Sequence, residues 1–242
     1  MARVVNVSLS GEAKNMVVWS LFDGSGIMGL PWAEHGHTVY CFNADSGNHG
    51  EYVVKMNHPL VRYVNMWIDK DFLIKCDLLG IPRPDIIFGF PDCTLFAQSG
   101  AKHDRDDNEM EYAFECAKVV KNIGQDLDIP WMIENPVGKM SNKDKLGKPN
   151  FYFHPRDFGY YVDAREGSWH PKMPLRDGYT KKTCIWFGNG FKEPVKMELP
   201  KDEGIMFFWG WKFLGGKSAR TKQLRSLTPR GFARAVFQAN RK

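Results

Sequence analysis

Short apolar runs that each end in a turn or an acid, separated by helix-like stretches, constrain the fold of this chain more than any other feature. Residues 16–22 form one such run and lead into Asp23-Gly24-Ser25-Gly26. Residues 37–44 lead to Asp45, residues 60–66 and 85–90 follow, and residues 129–133 stop at Glu134. Runs of this length, rich in β-branched and aromatic residues, read as buried strands. Between them the pattern predicts helices at 27–35 and 51–57. The clearest helix opens on the acidic stretch 104–107, carries Met110, Ala113, Phe114, Ala117 and Val120 at helical spacing, and has Gly124 as its stop. Strand alternating with helix means a mostly parallel sheet with helices on both faces, an α/β fold.

Beyond Glu134 the pattern loosens into a loop rich in Gly, Lys and Pro up to about residue 149. Strand-like pieces are expected at 151–153, 160–162 and 183–187, then an irregular aromatic stretch at 188–218. The last element reads as a helix with Thr228 as N-cap, Pro229 at its first position, and Phe232, Ala235, Val236 and Ala239 on its apolar face. The expected organisation is a catalytic and cofactor-binding domain at 1–187, a small irregular lobe at 188–218, and a C-terminal helical segment at 219–242 that packs back on the first.

Composition narrows the function classes. The chain has 242 residues with 43% hydrophobic content, enough for one ordinary buried core. No run approaches the roughly 18 apolar residues of a membrane span, and the N-terminus lacks the apolar stretch of a secretory signal. Five widely spaced cysteines with no Cys-x-x-Cys pair argue against a disulfide framework and a zinc site and fit a reducing compartment, so the expectation is cytoplasmic. The seven histidines show no ligand-like spacing, so no metal is expected. The net charge is +5, and residues 212–242 carry nine Lys or Arg and no acid. A basic segment preceded by Trp209, Trp211 and Phe213 suits contact with phosphate.

The chemistry-bearing residues fall at strand ends. Pro91-Asp92-Cys93 follows one apolar run and Glu134-Asn135-Pro136 ends another. In an open α/β sheet the loops at the carboxyl ends of strands face one crevice, so a thiol and a carboxyl placed there can meet over one substrate. That pairing suits covalent attack on an electron-poor ring. The Gly-rich turn at 22–26 follows a strand and opens a helix, and Asp45 at the next strand end is suited to ribose hydroxyls, which together favour an adenosine-type cofactor. Gly24, Gly26 and Gly29 match G-x-G-x-x-G only with Pro31 two residues on, so a dinucleotide is not the obvious ligand.

Leu21-Phe22-Asp23-Gly24-Ser25-Gly26, Pro91-Asp92-Cys93, Glu134-Asn135-Pro136 and Arg225-Ser-Leu-Thr-Pro-Arg230-Gly-Phe-Ala-Arg234 together resemble the cytosine-5 DNA methyltransferases, in the compact form seen in phages. The resemblance implies a Rossmann-like S-adenosylmethionine-dependent methyltransferase fold, a monomer, and DNA as partner. It implies that Phe22, Asp23, Gly24, Gly26, Asp45, Trp67 and Pro91 contact S-adenosylmethionine. Cys93 would add to cytosine C6, Glu134 would hold or protonate N3, and Lys181 or Arg165 would supply a cation. Ser99, Lys217, Arg220, Lys222 and Arg225 would contact DNA, with the target cytosine flipped out of the duplex or single-stranded.

The chain departs from the family pattern in three places. Asp92 replaces the second proline before the nucleophile, and an ionised neighbour of that kind raises a thiol pKa. The family's Gln-x-Arg-x-Arg segment is weak here, with Tyr179-Thr180-Lys181-Lys182-Thr183 in the comparable place. Only 188–218 is left for target recognition, which implies a short or relaxed recognition sequence or a partner protein that supplies it. The alternatives are a catalytically inactive cofactor- or DNA-binding protein of the same fold, a C5-modifying enzyme with another donor or a nucleotide substrate, and an amino-group methyltransferase. The last would leave Cys93 without a role.

Overall fold

The computed structural model describes residues 15–44, 53–92, 107–216 and 218–241. Seven strands form one sheet in the order β3-β2-β1-β4-β5-β7-β6. They are β1 (Val17–Leu21), β2 (Thr38–Asn43), β3 (Val61–Asn65), β4 (Ile86–Gly89), β5 (Trp131–Pro136), β6 (Phe151–Phe153) and β7 (Thr183–Gly188). Pairing is parallel from β3 through β5, whereas β7 runs antiparallel to both β5 and β6. The helices are α1 (Leu30–Ala33), α2 (Phe72–Leu78), α3 (Asp107–Asp126), α4 (Trp209–Phe213), α5 (Ala219–Ser226) and α6 (Arg230–Asn240). This is the expected α/β, Rossmann-like architecture.

Alternation along the strands builds two cores. In β1, Val18 packs with α1 and α6 residues such as Trp32 and Phe232, while its neighbour Trp19 packs on the other face with Phe72 of α2 and Phe114 of α3. Each of these side chains is buried, and burying one large apolar side chain contributes about 1.5–3 kcal/mol. Helices therefore cover both faces, as a mostly parallel sheet requires.

Several sequence expectations give way to tertiary contacts. Within 53–57 no helix forms; the described part is recruited instead by the Gly-rich turn, with Met56 N–H donating to the Ser25 carbonyl at 2.8 Å. The helix expected at 27–35 shortens to the single turn of α1. Gly124 does not stop α3, which continues to Asp126. A Cβ there would lie 2.3 Å from the Trp131 ring, so the glycine is needed for close packing of α3 on β5. On α3, Phe114, Ala117, Val120 and Ile123 are buried; the side chains of Met110 and Ala113 lie outside the described residues. The expected strand at 160–162 is largely a 3-10 helix, Pro155–Tyr161, begun by Pro155 and by the Asp157 carboxylate accepting from His154 N–H at 2.9 Å. Helices α2 and α4 were not anticipated, and the C-terminal helix expected over 219–242 is two helices, α5 and α6.

The last helix is also capped differently from expectation. Pro229 is its N-cap, Thr228 makes no capping bond there, and the capping acceptor is remote. Asp177, fully buried, accepts the Arg230 N–H at 2.6 Å and holds the Arg230 guanidinium at 2.7 Å. Arg230 also donates to the Gly167 carbonyl and lies over the Trp169 ring. One turn on, Arg234 makes two bonds to Glu166, at 2.6 and 2.8 Å. Burial resists ionisation of Glu166, but the Arg234 hydrogen bonds, the Asp163 backbone and the charges of Arg234 and Arg230 together outweigh it and hold the carboxyl below the usual range.

Removing one member of a buried pair strands the other without compensation. Asp177→Ala is therefore expected to cost about 3–5 kcal/mol of unfolding free energy in urea titrations. A loss under about 1 kcal/mol, within the range of ordinary surface substitutions, would show that Asp177 does not anchor α6.

Candidate active site

The carboxyl edge of β1, β4 and β5 assembles the site. The sheet order reverses between β1 and β4, which opens the crevice where open α/β sheets bind ligands. Register puts Leu21 beside both Phe42 and Gly89, and Gly89 beside Ile133. The segments after these residues, 22–26, 90–92 and 134–136, consequently share one edge.

The Gly-rich turn is closed from within. Asp23, buried, accepts through Oδ1 from Ser25 N–H, Ser25 Oγ–H and Gly26 N–H at 2.8–2.9 Å, and through Oδ2 from the Ser20 hydroxyl at 2.8 Å. Its carboxylate thus shapes the turn. Phe22 adopts φ +59°, a sparsely populated region for a bulky residue, and Gly26 adopts φ +73°. A Cβ on Gly26 would meet the Tyr63 hydroxyl at 2.4 Å, and that hydroxyl lies 3.0 and 2.9 Å from the Ser25 and Met56 carbonyls. Gly29 lets α1 approach β2, since a Cβ there would be 2.3 Å from Val39. Of the three-glycine spacing, Gly29 fills the helix-packing position.

Trp67 sits at the same edge. Met66 N–H donates to the Asn43 carbonyl at 3.3 Å, so the next residue, Trp67, stands close to the end of β2 with 59% of its surface exposed. Asp45, expected at that strand end, lies outside the described residues, as do Cys93, Ser99 and Lys217.

The two segments that the sequence set apart do meet. Asn135, fully buried, donates through Nδ2 to the Pro91 carbonyl at 3.0 Å across 44 residues of chain. This fixes the start of the loop that leads to Cys93 against the strand carrying Glu134. Asn135 Oδ1 has no hydrogen-bond partner among the described residues. Glu134 lies within β5 and not past its end, because β7 pairs with β5 as far as Pro136.

The reversed strand explains the cation. Since β7 is antiparallel, its first residues lie at the carboxyl edge of β5, with Thr183 opposite Pro136. Lys181, just ahead of Thr183, is held by the Arg225 carbonyl at 3.1 Å and sits over the Phe208 ring. Burial pushes the Glu134 carboxyl above its ordinary range, and the Lys181 charge opposes that shift. Tyr179, also buried, is pushed up by desolvation and further by Asp177 and Glu134.

Two expected residues take other positions. Arg165 is not brought to Glu134; its side chain is 90% exposed and bound to Asp163. Arg225 is engaged with the Gly210 and Leu214 carbonyls, where it fastens α4 to α5. Arg220 and Lys222 are exposed on α5. The parts of Asn135, Tyr63 and Ser20 were missed. For Ser20, Asp23 and Ser25, the close spacing of hydroxyls and a carboxylate signalled a self-bonded turn. The reach of Tyr63 from β3 to the turn after β1 had no local signal. Among the described residues no group of three or more His, Cys, Asp and Glu could hold a metal ion, and no helix is long and apolar enough to cross a membrane.

No protein-family model and no curated protein matches the chain. Among solved structures it is similar to a proposed DNA modification methyltransferase encoded within an E. coli prophage, at 17% identity and a TM-score of 0.44 over 72% of this chain and 46% of that one. It is also similar to the Bordetella bronchiseptica enzyme WbmH in complex with NAD+, at 18% identity and a TM-score of 0.31 over 48% of this chain and 36% of that one. A third is a SAM-dependent methyltransferase from Agrobacterium tumefaciens, at 13% identity and a TM-score of 0.31 over 52% of this chain and 40% of that one. The chain spans less than half the length of each. With every TM-score below 0.5, fold and chemistry rest on the strand order and site geometry themselves.

The raised Glu134 pKa makes a signed stability test. Between the ordinary carboxylate pKa and the folded value, the folded state binds more protons than the unfolded one, so stability falls as pH rises through that window. Glu134→Gln removes the penalty. The variant's melting temperature is expected to exceed that of the native chain near pH 8, with the gain disappearing below about pH 4. A gain that grows toward low pH would contradict a desolvated carboxyl.

Proposed function

We propose that the protein is an S-adenosylmethionine-dependent methyltransferase acting on C5 of cytosine in DNA, with Cys93 as nucleophile and Glu134 as the base-holding acid. The observation that carries this reading is the Asn135 to Pro91 hydrogen bond, which sets the loop two residues short of Cys93 beside Glu134. C5 of cytosine is a poor nucleophile. A thiolate from Cys93 adding to C6 makes it reactive, provided N3 accepts a proton or a strong hydrogen bond. A carboxyl kept protonated above its usual range by burial suits that donor role, and Lys181 beside it keeps the shift in check.

The cofactor reading rests on the self-closed turn at 22–26 next to the crevice and on the exposed face of Trp67, which suits stacking on a purine. Phe22, Gly24, Gly26, Trp67 and Pro91 would hold S-adenosylmethionine, with Asp45 on its ribose. Asp23 would act indirectly, through the turn it closes. When bound, the sulfonium cofactor supplies an electrophilic methyl group. Loss of the C5 proton then lets Cys93 leave and restores the ring.

Asp92, in place of the second proline of the family that the sequence resembles, supports a second reading, a binding protein of the same fold without turnover. Incubation with DNA and methyl-labelled cofactor, followed by nucleoside analysis, separates the two. Label is expected in 5-methylcytosine, and Cys93→Ala is expected to lower turnover by at least about a thousandfold while cofactor affinity is kept. Label in an amino-methylated base, or turnover retained by the variant, would overturn the covalent mechanism. Absence of turnover with cofactor bound would favour the binding protein.

A further inference from the structure

The aromatic residues of α4 and the segment before it are divided sharply by exposure. Trp209 is fully buried and Phe208 nearly so, whereas Trp211 is 65% exposed, Phe213 43% and Phe207 38%. Aromatic side chains contribute most to stability when buried, so three rings left this open within seven positions, even with Phe207 and Phe213 packed 6.0 Å apart, need a reason outside the core. Cations accompany two of them: the Lys212 ammonium lies 5.1 Å from the Phe207 ring centre and the Lys172 ammonium 5.8 Å from that of Phe213. Ala164, Lys172, Pro174, Leu175, Phe207 and Phe213 help to line an open groove of about 640 Å³ beside them. Glu203, the acid on its rim, is engaged by Arg176 at 3.3 Å.

Charge identifies the occupant. From residue 204 to the end the chain has no Asp or Glu, and Lys212, Arg220 and Lys222 are exposed on α4 and α5. Open aromatic rings flanked by lysines, with a cationic surface alongside, match the way single strands are bound: bases stack on rings while phosphates meet cations. A paired duplex hides its base faces and has no use for such rings. The platform is also near the candidate active site. Trp211 packs edge-on against Phe208, at 5.6 Å between ring centres, and Lys181, beside Glu134, sits over that same Phe208.

We propose that Trp211, Phe207 and Phe213 form a stacking platform for unpaired bases, so that the strand presented to Glu134 is single-stranded. This inference rests on the reading of the substrate as DNA and adds its strand state.

Fluorescence anisotropy on the full chain tests it, with a labelled single strand of roughly 20 nucleotides and the blunt duplex of the same sequence at about 0.1 M salt. The single strand is expected to bind more tightly. Trp211→Ala and Phe213→Ala are each expected to weaken it on the order of tenfold, Trp211→Phe to restore most of the loss, and duplex binding to stay unchanged. Because the rings are exposed, melting temperatures should hold, and they are measured on each variant. Equal binding of both forms, or equal weakening of both by Trp211→Ala, would overturn the platform. Cofactor affinity measured on the same samples separates the two failures. Retained duplex and cofactor binding would leave the DNA methyltransferase reading standing, whereas no binding to either DNA form would remove DNA as the substrate together with the platform.

Discussion

One hydrogen bond holds the chemistry of this molecule together: the buried Asn135 amide on the Pro91 carbonyl. β4 and β5 are paired by the sheet only as far as Gly89 and Ile133, and beyond that edge nothing in strand geometry fixes the next loop. A donor that has left water and found a single acceptor is costly to disrupt, so the bond sets the direction in which the chain departs toward Cys93. The same buried strand end raises the Glu134 pKa, and the reversed β7 supplies Lys181 to limit the rise. Sheet topology, desolvation and one amide thus converge on a few residues.

The opposite end of the chain shows arginines at work as architecture. Arg225, Arg230 and Arg234 read in sequence as a basic segment. In the fold they are consumed by the Gly210 and Leu214 carbonyls, by Asp177, and by Glu166. A guanidinium presents several donors in a fixed fork, which suits it to tie remote segments together. Among the described residues of that segment, exposed positive charge lies instead on Lys212, Arg220, Lys222 and Arg241, the first three on α4 and α5.

Where the chain alternated apolar runs with turns, the strands were legible, because burial on both faces leaves a local imprint of continuous apolar residues. β4 and β6 matched to within a residue or so. Elements decided by distant partners were not legible. Gly124 resembles a helix stop until the Trp131 ring is seen against it, and residues 53–57 resemble a helix until Ser25 and Tyr63 claim their backbone. The acceptor for the first N–H of α6 is Asp177, 53 residues from Arg230, and no local window on the sequence contains both. In the candidate site, the meeting of Pro91 with Asn135 and the charge of Lys181 acting on Glu134 were readable from strand ends. The self-contained bonding of Asp23 and the surface position of Arg165 required the side-chain geometry.

Whether Cys93 attacks cytosine decides the chemistry of this molecule, and 5-fluorocytosine in DNA traps that attack once methyl transfer has followed it. Fluorine at C5 does not leave as a proton does, so an enzyme that adds sulfur at C6 and methylates C5 stays bonded to the base. With S-adenosylmethionine present, a denaturant-stable adduct is expected, and peptide mass spectrometry is expected to locate it on Cys93. Cofactor binding without an adduct in any sequence context, or an adduct on another residue, would contradict the covalent mechanism.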